Sequence, residues 1–141
     1  MKTAVDSSVL FDIVKAAPGA EAAQSALEAS LAVGSLCVCA VVVAELGRYF
    51  ANAQDLKDFL ADCQIDHDPM NMDSALEAAR LMRNYVRSYP RNKGPRERVA
   101  TDFLIGAHAL QQTDALLTTE AGFFRKYFRG LTVSTDRKSV V

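Results

Sequence analysis

Long apolar runs are missing from this chain. The longest, Leu36–Ala44, falls well short of the roughly 20 residues a membrane-spanning helix needs. An export signal is not expected either, because Asp6 and Asp12 interrupt the apolar stretch near the N-terminus. A cytoplasmic location and no membrane partner are therefore expected. Cysteine is scarce: only Cys37, Cys39 and Cys63 occur. An odd number without an export signal argues against a disulfide framework. Cys37 and Cys39 form a C-x-C pair with no matching ligand pair downstream, so they read as core residues. Histidine is limited to His67 and His108. No His/Cys cluster suggests a soft metal, and neither histidine is given a role. The phosphate-cradling GxxxxGK[ST] loop, the dinucleotide GxGxxG turn and the GxSxG nucleophile elbow are all absent. No internal repeat or linker divides the chain. One domain is expected over residues 1–134, with a polar tail at 135–141.

What is present is the balance of a soluble globular protein, 50% hydrophobic and 23% charged. The net charge of -1 conceals an asymmetry. Residues 1–79 carry 4 Lys/Arg against 12 Asp/Glu, and residues 80–141 carry 12 against 5. The densest basic stretch holds Arg80, Arg83, Arg87, Arg91, Lys93, Arg96 and Arg98. Such a stretch suits a polyanion, or equally a solvated helix face followed by a loop.

Short apolar runs alternate with helix-like stretches. Strands are expected at Lys2–Val5, Leu36–Ala40, Gln64–His67, Ala115–Leu117 and Leu131–Val133. After Asp6-Ser7-Ser8, whose side chains suit a helix start, Val9, Leu10, Ile13 and Val14 give a helical stripe ended by Pro18-Gly19. Further helices are predicted over Glu21–Val33, Val41–Asn52, Asp55–Ala61, Asp73–Tyr89, Val99–Gln112 and Gly122–Phe128. The long helix at Asp73–Tyr89 should turn Leu76, Ala79, Met82, Val86 and Tyr89 inward. Arg91–Arg98 reads as a basic loop.

This alternation implies an α/β fold of three layers, a central, mainly parallel sheet with helices on both faces. In such sheets ligands bind beyond the carboxyl ends of the strands. Asp6 follows the first strand, Glu45 lies shortly after the second, and Glu120 follows the fourth. Asp102 lies near the start of the helix leading into that fourth strand. Asp6 and Glu120 also suit helix N-termini, and Glu45 and Asp102 also suit outward positions on their helices. Taken together, four carboxylates in one pocket would repel one another and favour hard cations, Mg²⁺ or Mn²⁺. One or two such ions can activate water and neutralise a phosphodiester. The hydroxyls of Ser7, Ser8, Thr118 and Thr119 stand nearby in sequence. Tyr49, Phe50, Phe59 and Leu60 are apolar beyond the evident needs of a small core, which suggests an exposed patch near Glu45.

Four segments, VDSSVLFDIV, VVVAELGRYF, ATDFLIGAHAL and ALLTTEAGFFRKYF, together resemble the signature segments of PIN-domain proteins, most closely the VapC-type toxins of type II toxin–antitoxin modules. The resemblance runs from about Lys2 to Val133. It implies a parallel sheet of four or five strands and a ribonuclease site using Mg²⁺ or Mn²⁺. By position, Asp6, Glu45 and Asp102 match the family's three core acids. Glu120 stands where these toxins usually carry Asp, which leaves it as a direct ligand, a ligand through water, or a bystander to Thr118. Arg87, Arg91, Lys93 and Arg96 become candidate RNA contacts, and Ser7 and Thr118 supporting polar groups. The resemblance also implies a homodimer and a partner antitoxin that covers the acidic site. Three other readings compete: a free-standing RNA-processing nuclease, a binding module that has lost catalysis, and a receiver-like phosphoacceptor domain. The last lacks its acidic pair, since Asp6 is followed by Ser7.

Overall fold

In the computed structural model, which describes residues 1–88 and 96–136 (of 96–99, the backbone alone), Lys2–Val5 forms the central strand β1 of a five-stranded sheet. Ser35–Val38 (β2), Ile65–His67 (β3), Ala115–Leu117 (β4) and Val133–Ser134 (β5) complete it in the order β3-β2-β1-β4-β5, every pairing parallel. The helices are Ser7–Val14 (α1), Ala20–Val33 (α2), Ala40–Leu46 (α3), Ala53–Asp62 (α4), Met72–Ser88 (α5), Arg96–Gln112 (α6) and Ala121–Tyr127 (α7). Parallel crossovers are right-handed. The chain steps outward from β1 to β3 and then recrosses to β4 and β5, so α1–α4 cover one face and α5–α7 the other. This is the expected three-layer α/β fold.

The strands are short and apolar because both faces are covered. Ala4, Val5, Leu36, Val38, Leu116 and Leu117 are all buried. On the α5–α7 side the core is aromatic: Phe103 of α6 meets the rings of Tyr85, Phe123, Tyr127 and Phe128 at centroid distances of 5.4–5.9 Å. Gly106, one turn on, permits this packing. A Cβ there would stand 2.4 Å from the Phe128 ring, so the absence of a side chain is what lets α6 approach Phe128.

Four details differ from the sequence reading. The helix expected over Val41–Asn52 begins at Ala40 and stops at Leu46, tightening into a 3-10 turn at Gly47–Tyr49, where glycine weakens the α-helix. Helix α6 starts at Arg96, not Val99; Arg96 and Glu97 are good helix formers that extend it upstream. The remainder of the expected basic loop, residues 91–95, lies outside the described residues, as do Tyr89, Pro90 and residues 137–141 of the expected tail. Helix α5 turns only part of the expected face inward. Met82 packs on the core as expected, but Ser74 and Ala78 are the buried residues, Leu81 and Tyr85 join Met82 on the core, and Leu76 and Val86 are exposed at 59% and 54%. The small residues allow α5 to lie close to α6, where the Ser74 hydroxyl donates to Gln112 Oε1 at 2.7 Å. Finally, the apolar patch expected near Glu45 is largely interior. Leu60 is buried, and Phe50 and Phe59 stack with each other against the core. No helix among the described residues is long and apolar enough to cross a membrane.

Candidate active site

Asp6 is the first residue past β1. Its N–H donates to the Leu117 carbonyl at 2.9 Å, which anchors it between β1 and β4 at the carboxyl edge. It occupies the N-cap position of α1, yet its side chain makes no capping hydrogen bond. The carboxylate instead accepts from the Thr118 hydroxyl at 2.7 Å and the Ser8 hydroxyl at 2.9 Å, both at Oδ2. It is 2% exposed. Burial pushes its pKa above the ordinary carboxylate value, opposed by the hydroxyls of Thr118 and Ser8; the charge of Glu120 adds a further upward push.

Glu45 lies in the last turn of α3 and is half-buried. The Ser7 hydroxyl donates to its Oε1 at 2.9 Å and stands 3.5 Å from Asp6 Oδ1. One hydroxyl proton cannot serve both acceptors, so the shorter contact is the bond. Ser7 thereby sets Glu45 beside Asp6. Glu120 is the N-cap of α7. Its N–H donates to Thr118 Oγ1 at 2.9 Å, so the hydroxyl that serves Asp6 also fixes the backbone of Glu120. The Thr119 N–H donates to Ser8 Oγ at 3.2 Å, closing the ring of contacts.

Asp102 is half-buried on α6 beside Phe103. The far end of this helix is held at the opposite edge of the sheet, where the Asp114 N–H donates to the Lys2 carbonyl at 2.8 Å and Lys2 N–H to Asp114 Oδ2 at 2.7 Å. Ten residues of helix from Gln112 back to Asp102 rise about 15 Å. Four strand steps from Lys2 to Asp6 rise about 13 Å. The helix thus runs back from that edge, carrying Asp102 toward the carboxyl side of the sheet.

Of the basic candidates, Arg87 is exposed in the last turn of α5. Arg96 opens α6, with its side chain outside the described residues; Arg91 and Lys93 lie wholly outside them.

One cluster was invisible in the sequence. Cys37, Asp68 and His108 bring donor atoms within 4.8 Å of one another. This lies on the sheet face under α6, away from Asp6. The Asp68 carboxylate is already engaged: His108 Nε2 lies 2.8 Å from Oδ2, Gln112 Nε2 donates to Oδ2 at 3.1 Å, and Lys2 Nζ pairs with Oδ1 at 3.2 Å. Burial pushes the Cys37 thiol up to about 12, so the thiolate a metal needs is disfavoured. The contact between His108 and Asp68 joins residues 40 apart, a distance at which no local pattern signals it. His67 is exposed.

The all-oxygen donor set at the carboxyl edge is the kind that holds a hard divalent cation. Comparison with known proteins identifies the family and the fold. The PIN-domain family model matches residues 3–129, and the chain belongs to that family. A search of the curated proteins finds no match. Among solved structures, the fold is similar to a chain of VapBC2 from Rickettsia felis bound to a DNA fragment from their promoter, with a TM-score of 0.69 and 16% identity over 96% of this chain and 98% of that one. It is also similar to a chain of VapBC-1 from nontypeable Haemophilus influenzae (0.67; 16%; 98% and 100%). A toxin–antitoxin complex from Klebsiella pneumoniae gives 0.60 and 19% over 97% and 99%.

Proposed function

We propose that this chain is a metal-dependent endoribonuclease acting as the toxin of a toxin–antitoxin pair. The observation that carries the reading is the buried Asp6 carboxylate, joined to the Glu120 backbone through Thr118, with Glu45 set beside it by the neighbouring Ser7. A buried carboxylate is costly to keep ionised unless a cation attends it. Asp6, Glu45, Asp102 and Glu120 would hold Mg²⁺ or Mn²⁺. The ion would supply Lewis acidity and an activated water for phosphodiester hydrolysis. The residues themselves do the positioning. Thr118 and Ser8 fix Asp6 Oδ2, Ser7 fixes Glu45, and the backbone N–H groups of Thr119 and Glu120 order the turn after β4.

Purified protein incubated with a panel of tRNAs and rRNA, with Mg²⁺, with Mn²⁺ and with chelator, tests the activity. Metal-dependent ends at defined positions are expected with the wild type and not with Asp6→Asn; cleavage by Asp6→Asn at the wild-type rate would remove Asp6 from the site. Arg87, with Arg91, Lys93 and Arg96, supplies cations for RNA phosphates. Each such contact contributes about 0.7 to the salt slope on single-stranded RNA.

The partners follow from the same reading. The similarity to chains of two VapBC complexes and of a third toxin–antitoxin complex supports an antitoxin. The acidic pocket suits an arginine from such a partner, which pairs with carboxylates through its planar fork. Co-expression with the partner, pull-down and a cleavage assay test this. The exposed apolar stripe of α5, Met72, Leu76 and Val86, supports a homodimer, with Arg83 and Arg87 as its polar rim. Leu76→Glu should lower the mass measured by light scattering from dimer to monomer.

A further inference from the structure

Helices α1 and α3 meet along a seam whose first contact is the Ser7–Glu45 hydrogen bond. Four residues further along each chain segment come Phe11 and Tyr49, and their rings lie 5.2 Å apart, tilted by 57°. One helical turn is about 5.4 Å, so this aromatic pair stands roughly one nucleotide from the acidic pocket. Two exposed cations attend it. Lys15 Nζ lies 5.2 Å from the Phe11 centroid and 5.1 Å from that of Tyr49. The Arg48 guanidinium lies 5.8 Å from Phe11 and 5.0 Å from Tyr49. No carboxylate among the described residues pairs with either charge, although the N-terminal half of the sequence is strongly acidic.

We infer that Phe11, Tyr49, Lys15 and Arg48 form a nucleotide subsite that stacks one base of single-stranded RNA and binds its flanking phosphates, setting which phosphodiester reaches the acidic pocket. The inference rests on the ribonuclease reading above. Rings and a guanidinium plane stack on any base face, and the cations match the phosphates on either side of it. Hydrogen bonding by Lys15 holds the Tyr49 phenol below its ordinary pKa. A basic protein segment is a poorer occupant, since the two cations repel it.

The test is fluorescence titration of a single-stranded RNA decamer containing 2-aminopurine, in chelator so that nothing is cut. Tyr49→Ala should weaken binding by about 5- to 150-fold and abolish the stacking quench, while Tyr49→Phe stays within roughly 2-fold of wild type. Arg48→Ala, at an exposed position that leaves the core intact, should lower the salt slope by about 0.7. An abasic nucleotide at the stacked position should make wild type and Tyr49→Ala equivalent. Wild-type binding by Tyr49→Ala together with an unchanged slope for Arg48→Ala would overturn the subsite. So would variants that keep RNA binding but lose the partner protein, which would give the surface to that partner. A wild type that binds and quenches but cuts nothing when metal is restored would instead overturn the nuclease reading and leave the subsite standing.

Discussion

The Ser7 hydroxyl donates to Glu45 Oε1 at 2.9 Å, across 38 residues of sequence. Through this bond the first residue of α1 sets the rotamer of a carboxylate on α3, next to Asp6. Residues that orient metal ligands typically change metal affinity or activity by about 10–100-fold when removed. Ser7→Ala is therefore expected to raise the Mg²⁺ concentration needed for half-maximal cleavage by about that factor, with far-UV circular dichroism unchanged. An unaltered metal titration would leave Ser7 as helix packing only.

Asp6→Asn should separate stability from activity. Burial raises the pKa of Asp6, with Glu120 adding to the push. A raised carboxylate pKa means that ionisation at neutral pH opposes folding, and the penalty is relieved as pH falls through the folded value. Asparagine keeps the shape without the charge. The metal-free variant is expected to gain about 0.5–2 kcal/mol, or about 2–4 °C for each kcal/mol in a chain of this size. Scanning calorimetry in chelator measures this. A lower melting temperature would mean that the ionised carboxylate holds the Thr118 and Ser8 contacts together.

The sequence made much of this legible, and the limits have physical causes. All five strands were placed within two or three residues, because short apolar runs between turn signals have few alternatives. The positions of Asp6, Glu45 and Glu120 after strands were legible because topology alone decides them. The inward face of α5 was misread in part, Met82 apart, because hydrophobicity was taken as the sign of burial. Ser74 and Ala78 face inward for their small size, whereas Leu76 and Val86 are exposed. Asp68 and His108 meet only when α6 folds over β3, and the pairing of Phe11 with Tyr49 needs α1 laid against α3. Contacts of this range leave no periodicity to read.

Acid should weaken the fold through the His108–Asp68 pair. Burial lowers the His108 pKa from its ordinary 6.5, although Asp68 opposes the shift. The unfolded chain therefore takes up this proton first, and stability falls as pH drops below about 6.5, with a slope approaching 1.4 kcal/mol per pH unit. Burial pushes the Asp68 carboxyl up, but hydrogen bonds from His108 and Lys2 prevail and hold it below 3.8. Its contribution is complete above that value and is lost as pH falls through the folded pKa. Denaturant midpoints between pH 8 and pH 3 should thus decline in two stages. His108→Gln, which retains a donor for Asp68, should flatten the upper stage alone. A midpoint that stays level from pH 7 to pH 5 in the wild type would contradict a neutral buried His108.

Gly106 is the most constrained point of α6. A Cβ there would meet Phe128 Cε2 and Cζ, both at 2.4 Å, closer than any packed carbon tolerates. Phe128 is itself 2% exposed and packed against Phe103 and Phe124, so its ring has little room to retreat. Gly106→Ala improves helix propensity by about 1 kcal/mol, yet overpacking at a site this tight costs about 1–3 kcal/mol and shifts the backbone. The clash is expected to prevail. Because α6 also carries Asp102, any shift of the helix should reach the acidic pocket, lowering cleavage more than the lost stability explains. Phe128→Leu creates space and costs stability alone, but combined with Gly106→Ala it should recover part of both losses. A double-mutant cycle on stability, run beside cleavage rates, reads this coupling directly. Strict additivity would show that Gly106 is held for a reason other than the approach of Phe128.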